Sequence, residues 1–372
     1  MALRVLMVAE PPDGGVREHV VQLALGLGAH DVAVEIAQPP HARRYPRLDA
    51  SPTRTHELPL EPGFAHFGND RRALRGLQEL VEGGSFDIVH CHSSKAGVLG
   101  RLIRGGPPVV FTPNAFSFVG DFSRRRYLLA SAIERMLAAR TAAIICCCED
   151  ERRLALEHHL GADRLHVVYN ASEACADDVE PDPELLAMRG DGLLVGAVAS
   201  LRPQKTLDVL IDAVPAVLAG DPRARVVIVG DGELRDQLID RAATLGLGDE
   251  PRFALLPFRA PAARALKALD LYVLPSAWEG FPLAVLEAMA CGVPQVATDV
   301  GGTGEAITPA TGRLVPPHDP PALARTILDL LADGDLRAAM GAASRPRHAA
   351  NFTVEKMVAE TAAVYREVVR DR

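Results

Sequence analysis

The 372-residue sequence contains no apolar run of the roughly 18–20 residues that a membrane-spanning helix needs. Aromatic residues are scarce at 5%, with a single Trp, yet hydrophobic residues make up 48% and can fill a sizeable core. Charged residues at 24% and a mean hydropathy of +0.08 argue against disorder. We therefore expect a globular chain of about two domains without a membrane span.

The six cysteines also lack any C-x-x-C spacing, so we expect neither a disulfide framework nor a zinc site, which favours a reducing compartment. The first apolar run ends at Glu10 after a few residues, without the longer core of a signal peptide. These features predict a cytoplasmic protein, and peripheral contact with the inner membrane face stays open.

The chain has no excess of positive charge. Its formal charge is −8, and residues 1–173 carry 20 basic and 20 acidic side chains, so all of the excess negative charge lies in the rest of the chain. A nucleic-acid-binding protein needs a basic surface to neutralise phosphates. We therefore expect no nucleic-acid partner.

Short apolar runs alternate with helix-length amphipathic stretches, which predicts parallel sheets covered by helices. The predicted strands of the first half are 4–9, 32–37, 87–91, 109–112, 143–147 and 165–169, with helices at 16–28, 70–82, 95–104 and 124–140. Those of the second half are 193–199, 225–229, 253–256, 271–274, 295–298 and 313–315, with helices at 206–219, 233–245 and 283–290. The fold class is thus α/β with two doubly wound, Rossmann-like domains.

The domain boundaries follow from a break in this pattern. We expect an N-terminal domain over 1–173, an acidic, Pro-containing linker over 174–190, and a second domain over 191–353. Residues 354–372 should form a terminal helix, either on one domain or returning to the first. If the two domains face each other, the carboxyl ends of their strands meet at a cleft, where such sheets bind ligands.

Residues 275–294 are the most informative segment, because they combine a strand end, a loop, a helix and a stop signal. Pro282 suits a first helical turn, so the helix should begin near Phe281, and Gly292 with Pro294 should end it. The free N–H groups of this helix, approached through Gly280, form an anion site that suits a diphosphate.

Glu279 and Glu287 flank that helix start, and each carboxylate can accept hydrogen bonds from vicinal hydroxyls. A hydrolase pair is the alternative. If both residues were helical, they would lie roughly 12 Å apart, beyond the roughly 5–9.5 Å of glycosidase carboxylates. Two separate ligand-binding roles are therefore favoured.

The segment resembles the signature of the family-4 retaining glycosyltransferases with the GT-B fold, in which two glutamates eight residues apart follow a Pro-Ser strand end and precede Gly-x-Pro. The similarity extends along nearly the whole chain. The supporting positions are Gly14-Gly15, 92–101, Asn170, 202–205, 229–233 and Gly301-Gly302.

The resemblance implies a donor site in the second domain. Glu287 is expected to hold the ribose of a nucleoside-diphosphate sugar and Glu279 to face the transferred hexose, while Lys205 and Arg202 neutralise the diphosphate. Backbone N–H groups would help to orient sugar and phosphate, and the glycine pair of the first βα loop would allow a close approach. These groups belong to Gly280, Phe281, Pro282, Leu283, Gly14 and Gly15.

The resemblance also implies an acceptor site in the first domain, near His92 and Asn114 and between loops 38–68 and 114–124. Asn114 stands where a His is common in the family and Ser200 where an Arg is common. An amide can hydrogen-bond but cannot take a proton, so Asn114 is no general base. The basic run 124–126 opens an amphipathic stretch that could contact a membrane or receive a phosphorylated acceptor. No metal or other cofactor is implied.

Four other functions compete with hexosyl transfer from a UDP-sugar to a small-molecule or lipid-linked acceptor. A nicotinamide oxidoreductase would need Gly-x-Gly-x-x-Gly, and the stretch 230–235 lacks the third glycine. A P-loop hydrolase would need Gly-x-x-x-x-Gly-Lys-Ser/Thr, which is absent. A noncatalytic sugar-nucleotide-binding subunit remains open because of Ser200 and Asn114, and a sugar-nucleotide 2-epimerase is disfavoured by the two glutamates.

Overall fold

The computed structural model describes residues 2–61, 63, 67–120 and 123–371. Its contacts divide the chain into two compact units. The first consists of Met1–Ala171 with Val354–Arg372, and the second consists of Ser172–Thr353. Residues 1 and 372 of the predicted domains, and residues 62, 64–66 and 121–122 of the predicted acceptor loops, lie outside the described residues.

The first unit contains a parallel sheet of seven strands in the order β3-β2-β1-β4-β5-β6-β7. Its strands are β1 Leu3–Ala9, β2 Val32–Gln38, β3 Arg54–Glu57, β4 Ile88–His92, β5 Val109–Thr112, β6 Ala143–Cys146 and β7 Leu165–Val167. The helices between them are α1 Gly14–Gly26, α2 Pro46–Asp49, α3 Phe67–Gly83, α4 Ser94–Arg101, α5 Arg124–Ala138 and α6 Glu149–Glu157. The inner strands of this sheet are mostly buried, which is why apolar residues predominate in their sequences.

The edge strand β3 was not among the predicted strands. Its sequence, Arg-Thr-His-Glu, has no apolar side chain, because the strand lies at the sheet edge and is mostly exposed. Its pairing with β2 is stabilised by a hydrogen bond of 2.7 Å between His56 Nε2 and Glu35 Oε2. Hydrophobic periodicity does not detect a strand of this kind.

The second unit contains a parallel sheet of six strands in the order β10-β9-β8-β11-β12-β13. Its strands are β8 Leu193–Val198, β9 Ala224–Val229, β10 Phe253–Leu256, β11 Leu271–Leu274, β12 Gln295–Thr298 and β13 Gly312–Val315. Its helices are α7 Pro183–Arg189, α8 Leu207–Gly220, α9 Arg235–Thr244, α10 Ala262–Leu266, α11 Leu283–Ala290, α12 Thr303–Ala306, α13 Pro320–Ala332 and α14 Gly334–Asn351. The predicted α/β fold with two parallel sheets is confirmed.

Each sheet reverses its strand order once, between β1 and β4 in the first unit and between β8 and β11 in the second. Ligands of open parallel sheets bind beside the carboxyl ends of the strands at such a reversal. In the second unit, β11 leads directly into the segment with Glu279. In the first unit, Glu10 follows β1 and Ser93 follows β4.

The last helix, α15 Val354–Arg370, packs on the first unit, and its Tyr365 and Met357 are buried in that unit's core. A Cβ on Gly26 of α1 would lie 2.6 Å from Val358 Cγ2, so a glycine is needed at that crossing. The predicted linker 174–190 groups with the second unit, and α7 lies within it.

Cys175 and Cys291 form a disulfide, with their Cα atoms 4.9 Å apart. The expectation of no disulfide is therefore wrong for this pair. The two cysteines are 116 residues apart in sequence, and no spacing rule reveals that the chain brings Cys175 to the C-terminal end of α11. The cysteine argument for a reducing compartment loses its basis, because stable disulfides are uncommon there. The other four cysteines are buried thiols.

Candidate functional site

Helix α11 spans Leu283–Ala290, as the apolar periodicity predicted, and begins two residues after the start near Phe281 that the capping signals indicated. Pro282 is the N-cap with φ −76° and ψ 112°, an extended conformation, so helical geometry starts one residue later. The Phe281 side chain is buried, and its ring lies 5.4 Å from that of Phe352. Gly292 has φ +74° and follows the helix as predicted. The N-terminal N–H groups of α11 thus lie just after the loop that carries Glu279 and Gly280.

The Glu279 carboxylate is buried and accepts three hydrogen bonds. Lys205 Nζ donates to Oε1 at 2.5 Å, Ser276 Oγ donates to the same oxygen at 2.6 Å, and Gln204 Nε2 donates to Oε2 at 2.9 Å. One cation and two neutral donors compensate for the loss of water around a buried charge. Glu279 and Lys205, predicted from separate motifs, are in direct contact.

Three hydrogen bonds to backbone carbonyl oxygens hold the turn Pro203–Lys205 against the Glu279 loop. Ala277 N donates to Gln204 O at 2.9 Å, Gln204 Nε2 donates to Trp278 O at 3.0 Å, and Thr206 Oγ1 donates to Pro275 O at 2.6 Å. Gln204 therefore joins the two segments, a role that the sequence analysis missed. Arg202 precedes this turn, and its side chain is exposed.

Gly301 and Gly302 support the Glu279 loop from the other side. Gly301 has φ +52°, and a Cβ at this position would lie 2.0 Å from Glu279 O, so only glycine fits. Gly302 N donates to Gly280 O at 2.8 Å. The glycine pair therefore fixes the backbone that presents Glu279.

Glu287 lies in the second turn of α11 and is partly exposed. The phenol of Tyr272 on β11 lies near both carboxylates. Burial raises the pKa of this phenol well above the usual range, and the charges of Glu287 and Glu279 raise it further. Glu279 precedes the helix, so the distance between Glu279 and Glu287 does not follow from the helical rise per residue. The second unit thus brings together Glu279, Lys205 and the start of α11, with Glu287 one turn further on.

In the first unit, Gly14 and Gly15 open α1 directly after the loop that follows β1. Gly14 has φ +79°, which favours glycine, and both residues are exposed. The backbone is thus accessible there. Its predicted role in binding stays a prediction.

Glu10 and Ser93 form a buried pair that the sequence analysis did not single out. Ser93 Oγ donates to Glu10 Oε2 at 2.6 Å, and burial raises the pKa of Glu10 while that hydrogen bond lowers it by a smaller amount. Beside them, the buried Lys95 pairs with Asp70 at 2.8 Å. The signal in the sequence was positional, since Glu10 and Ser93 directly follow strands β1 and β4 at the reversal of strand order.

His92 is fully buried, packed against two other imidazoles. The centroid of its ring lies 4.0 Å from that of His90 and 5.3 Å from that of His19, and burial lowers the pKa of His92 well below the usual range. His90 bonds to Tyr365 Oη at 2.6 Å and Thr112 Oγ1 at 2.8 Å. The acceptor role of His92 stays a prediction, and its ring offers no open surface to a ligand.

Asn114 follows β5 in a left-handed conformation, with φ +51°. The next amide, Ala115 N, donates to Glu151 Oε1 at 2.8 Å, and Cys147 N donates to Oε2 at 2.6 Å. The Nδ2 atom of Asn114 is buried, and no acceptor for it lies within the described ranges. Glu151 thus shapes this turn, and the catalytic role of Asn114 stays a prediction.

Among the described residues, no three His, Cys, Asp or Glu side chains are grouped so that they could hold a metal ion. The chain contains one Asp-x-Asp triplet, at Asp333 and Asp335. In other glycosyltransferases such a triplet can bind a metal ion that also binds the donor diphosphate. Asp333 is the N-cap of α14, where its Oδ1 accepts a hydrogen bond from Leu336 N at 2.9 Å. A helix cap accounts for that aspartate.

No helix within the described part of the chain is long and apolar enough to cross a bilayer. On α5, however, several apolar side chains are exposed: Leu128, Leu129 and Met136, at 55%, 63% and 70%. At 100° per residue, these three and Arg125 fall within one 100° arc of the helix. Only Glu134, Leu137 and Ala138 of α5 are buried.

Comparisons with known proteins agree with this architecture. Residues 179–347 match the family model described as glycosyl transferases group 1, and residues 14–171 match the glycosyl transferase 4-like domain. A D-inositol 3-phosphate glycosyltransferase of Salinispora arenicola is 34% identical over 319 residues, which cover 77% of this chain and 70% of the relative. A UDP-Gal:alpha-D-GlcNAc-diphosphoundecaprenol alpha-1,3-galactosyltransferase of Escherichia coli is 29% identical over 63% of each chain.

Two solved structures share the fold. Sucrose-phosphate synthase of Thermosynechococcus elongatus has a TM-score of 0.83 at 21% identity over 100% of both chains. Anabaena HepE, solved in complex with UDP and glucose, has a TM-score of 0.79 at 21% identity over 97% of this chain and 98% of its own.

Proposed function

Because this chain belongs to the family-4 glycosyltransferases of the GT-B fold, the glycosyl transferases group 1, we propose that it transfers a hexosyl unit from a UDP-sugar to an acceptor hydroxyl with retention of anomeric configuration. The acceptor is a small molecule or a lipid-linked glycan. No metal or other cofactor takes part, and the nucleoside-diphosphate sugar is the donor substrate.

The observation that carries this proposal is the contact of Lys205 with Glu279 directly before the start of α11. The helix N-terminus and the ammonium group together suit a diphosphate, and Arg202 adds a second cation nearby in sequence. Glu279 faces the hexose, and Glu287 accepts hydrogen bonds from the ribose diol. The N–H groups of Gly280, Phe281 and Leu283 complete the donor contacts of the second unit, and Pro282, which has no N–H, fixes the backbone there.

Transfer breaks the bond between the anomeric carbon and the diphosphate oxygen and forms a bond from that carbon to the acceptor oxygen on the same face. The acceptor proton passes to the departing phosphate. Lys205 stabilises the negative charge that grows on the leaving group, which is the largest electrostatic demand of the reaction. Asn114 can orient an acceptor hydroxyl but cannot take its proton.

The exposed face of α5 supports a peripheral membrane site for a lipid-linked acceptor. Apolar side chains in one arc next to a run of arginines are typical of helices that lie on anionic bilayers. The named Escherichia coli relative acts on a diphosphoundecaprenol-linked sugar, whereas the Salinispora relative is named for an inositol phosphate. Both acceptor classes therefore belong in the test.

The experiment incubates the protein with a panel of nucleoside-diphosphate sugars and measures nucleotide release with and without candidate acceptors. Acceptor-dependent release, with an α-linked product from an α-linked donor, supports the proposal. Donor binding without release in any acceptor pool would instead establish a noncatalytic sugar-nucleotide-binding subunit. Conversion of the donor into its 2-epimer would establish the epimerase alternative.

A substitution at Glu287 tests the proposed donor-binding role of that residue. Glu287→Ala should weaken UDP binding between several-fold and a hundredfold, because the ribose diol loses its acceptor. Calorimetric titration of UDP measures this, with Asp240→Ala, an exposed carboxylate on α9, as the matched control. Equal affinity of wild type and Glu287→Ala would refute the assignment.

A further inference from the structure

The first unit buries a guanidinium group whose donors lack protein acceptors. Arg17 lies in the first turn of α1, and only 1% of its surface is exposed. Its Nε and Nη1 atoms are buried, and no acceptor for either lies among the described residues. Buried charged donors are normally paired, because leaving them unsatisfied costs free energy. The arrangement therefore points to an acceptor that arrives with a ligand.

A second cation shares the same aromatic ring. The guanidinium carbon of Arg17 lies 5.8 Å from the ring centroid of Tyr45, and that of Arg43 lies 5.3 Å from it. Arg43 N also donates to Pro12 O at 2.7 Å, which ties the segment after β2 to the loop before α1. Both guanidinium groups thus lie near the Tyr45 ring, and both arginines follow the carboxyl ends of strands β1 and β2, the ligand-binding edge of such a sheet.

The carboxylates near Arg17 do not pair with its two buried donors. Glu18 and Asp49 lie close enough to raise the pKa of Arg17, but burial outweighs them and lowers it. Neither carboxylate accepts a hydrogen bond from Nε or Nη1. The first turn of α1 contains no acidic residue, and the N–H groups of a helix N-terminus attract anions.

We propose that Arg17, assisted by Arg43 and the first turn of α1, binds a phosphate monoester on the acceptor. This rests on the proposed function, which places the acceptor on the first unit. A phosphate monoester supplies the negative charge that a buried guanidinium group with unpaired donors lacks, whereas a neutral hydroxyl would leave that positive charge uncompensated. The site therefore selects phosphorylated acceptors over their unphosphorylated counterparts.

The test measures inorganic phosphate binding while the donor site is saturated with UDP. The thermal unfolding midpoint is followed in sodium phosphate against sodium chloride of equal ionic strength. Wild type should bind phosphate, Arg17→Met should bind it at least tenfold more weakly, and Arg17→Lys should fall between. Arg75→Met, an exposed arginine on α3, is the matched control and should behave as wild type.

The same variants distinguish phosphate binding by Arg17 from a role in packing or in donor binding. Without phosphate, Arg17→Met should be at least as stable as wild type, because an apolar side chain replaces an unpaired buried charge. Equal phosphate affinity in wild type and Arg17→Met would overturn the proposal. A loss of UDP affinity in Arg17→Met would also overturn it, because the guanidinium group would then bind the donor. A clear loss of stability in Arg17→Met would overturn it as well, because it would show a packing role. Failure of UDP to bind any variant would instead overturn the proposed function, whatever the phosphate result.

Discussion

At the scale of residues, the ion pair of Lys205 and Glu279 is the contact on which the proposed donor site depends. The side chains are 14% and 6% exposed, so the pair is only weakly screened by solvent. In the proposed reaction, a diphosphate beside Lys205 would share the ammonium group with Glu279. The cation can then follow the charge that grows on the leaving group, while Ser276 and Gln204 keep Glu279 in place.

Lys205→Ala should therefore lower the single-turnover rate by about 10²–10³-fold and lower UDP affinity much less, because the interaction is strongest in the transition state. Rapid-quench measurement of hexosyl transfer, together with titration of UDP, gives the two effects separately. Lys356→Ala, an exposed lysine on α15, serves as the control. An unchanged single-turnover rate would remove Lys205 from the mechanism.

The buried imidazole of His19 makes stability depend on pH. Burial lowers its pKa to about 4, and a hydrogen bond with Asn170 offsets part of that effect. The unfolded chain therefore binds more protons than the folded chain between pH 6.5 and about 4. The stability contributed by the neutral ring is complete above this window and is lost as the pH falls through it.

Denaturant unfolding at pH 7 and pH 5 measures this loss, which His19→Gln should reduce. His41→Gln, an exposed histidine in the same unit, should retain the wild-type slope. If His19→Gln shows the full wild-type decrease between the two pH values, other groups are responsible.

At the scale of elements, helix α5 has an apolar face that the first unit leaves uncovered. Leu129→Asp and Met136→Asp should each weaken binding to anionic phosphatidylglycerol vesicles several-fold, because each removes apolar area from the contact and adds a like charge. Vesicle co-sedimentation measures the effect. Ile239→Asp on α9, which replaces a side chain that is 45% exposed in the second unit, is the matched control. Equal sedimentation of all four proteins would contradict a membrane role for α5.

The disulfide between Cys175 and Cys291 attaches the segment before α7 to the C-terminal end of α11, the helix of the proposed donor site. It closes a long loop, so Cys175→Ser should lower the free energy of unfolding by about 2–4 kcal/mol under oxidising conditions. Wild type with reductant should match the variant, whose own stability should not respond to reductant. A wild type equally stable with and without reductant would show that the bond contributes nothing.

At the scale of the whole molecule, the sequence predicts those strands and helices whose apolar residues follow a regular period. Apolar strands such as β10 and β11 match their predicted bounds, and the periodic helix α15 begins at the predicted residue, because burial on a regular face leaves a periodic pattern. The polar edge strand β3 leaves no such pattern. Neither does the pairing of Cys175 with Cys291, which depends on how distant segments meet.

For the candidate site too, the sequence predicts single residues but not the contacts between them. The motifs predict Glu279, Lys205 and Glu287 as separate residues, but not that Lys205, Ser276 and Gln204 all donate to Glu279. The orphaned donors of Arg17 could not be predicted either, because burial without a partner is a property of the folded chain. Local sequence therefore predicts which residues matter, and tertiary structure determines what each one contacts.

The most direct test of this account is a crystal structure of the protein with an unhydrolysed UDP-sugar. We predict that the diphosphate lies at the N-terminus of α11 within reach of Lys205 Nζ, that the Glu287 carboxylate accepts hydrogen bonds from the ribose diol, and that the hexose faces Glu279. A nucleotide bound elsewhere, or a Glu287 carboxylate that makes no contact with the ribose, would contradict the account.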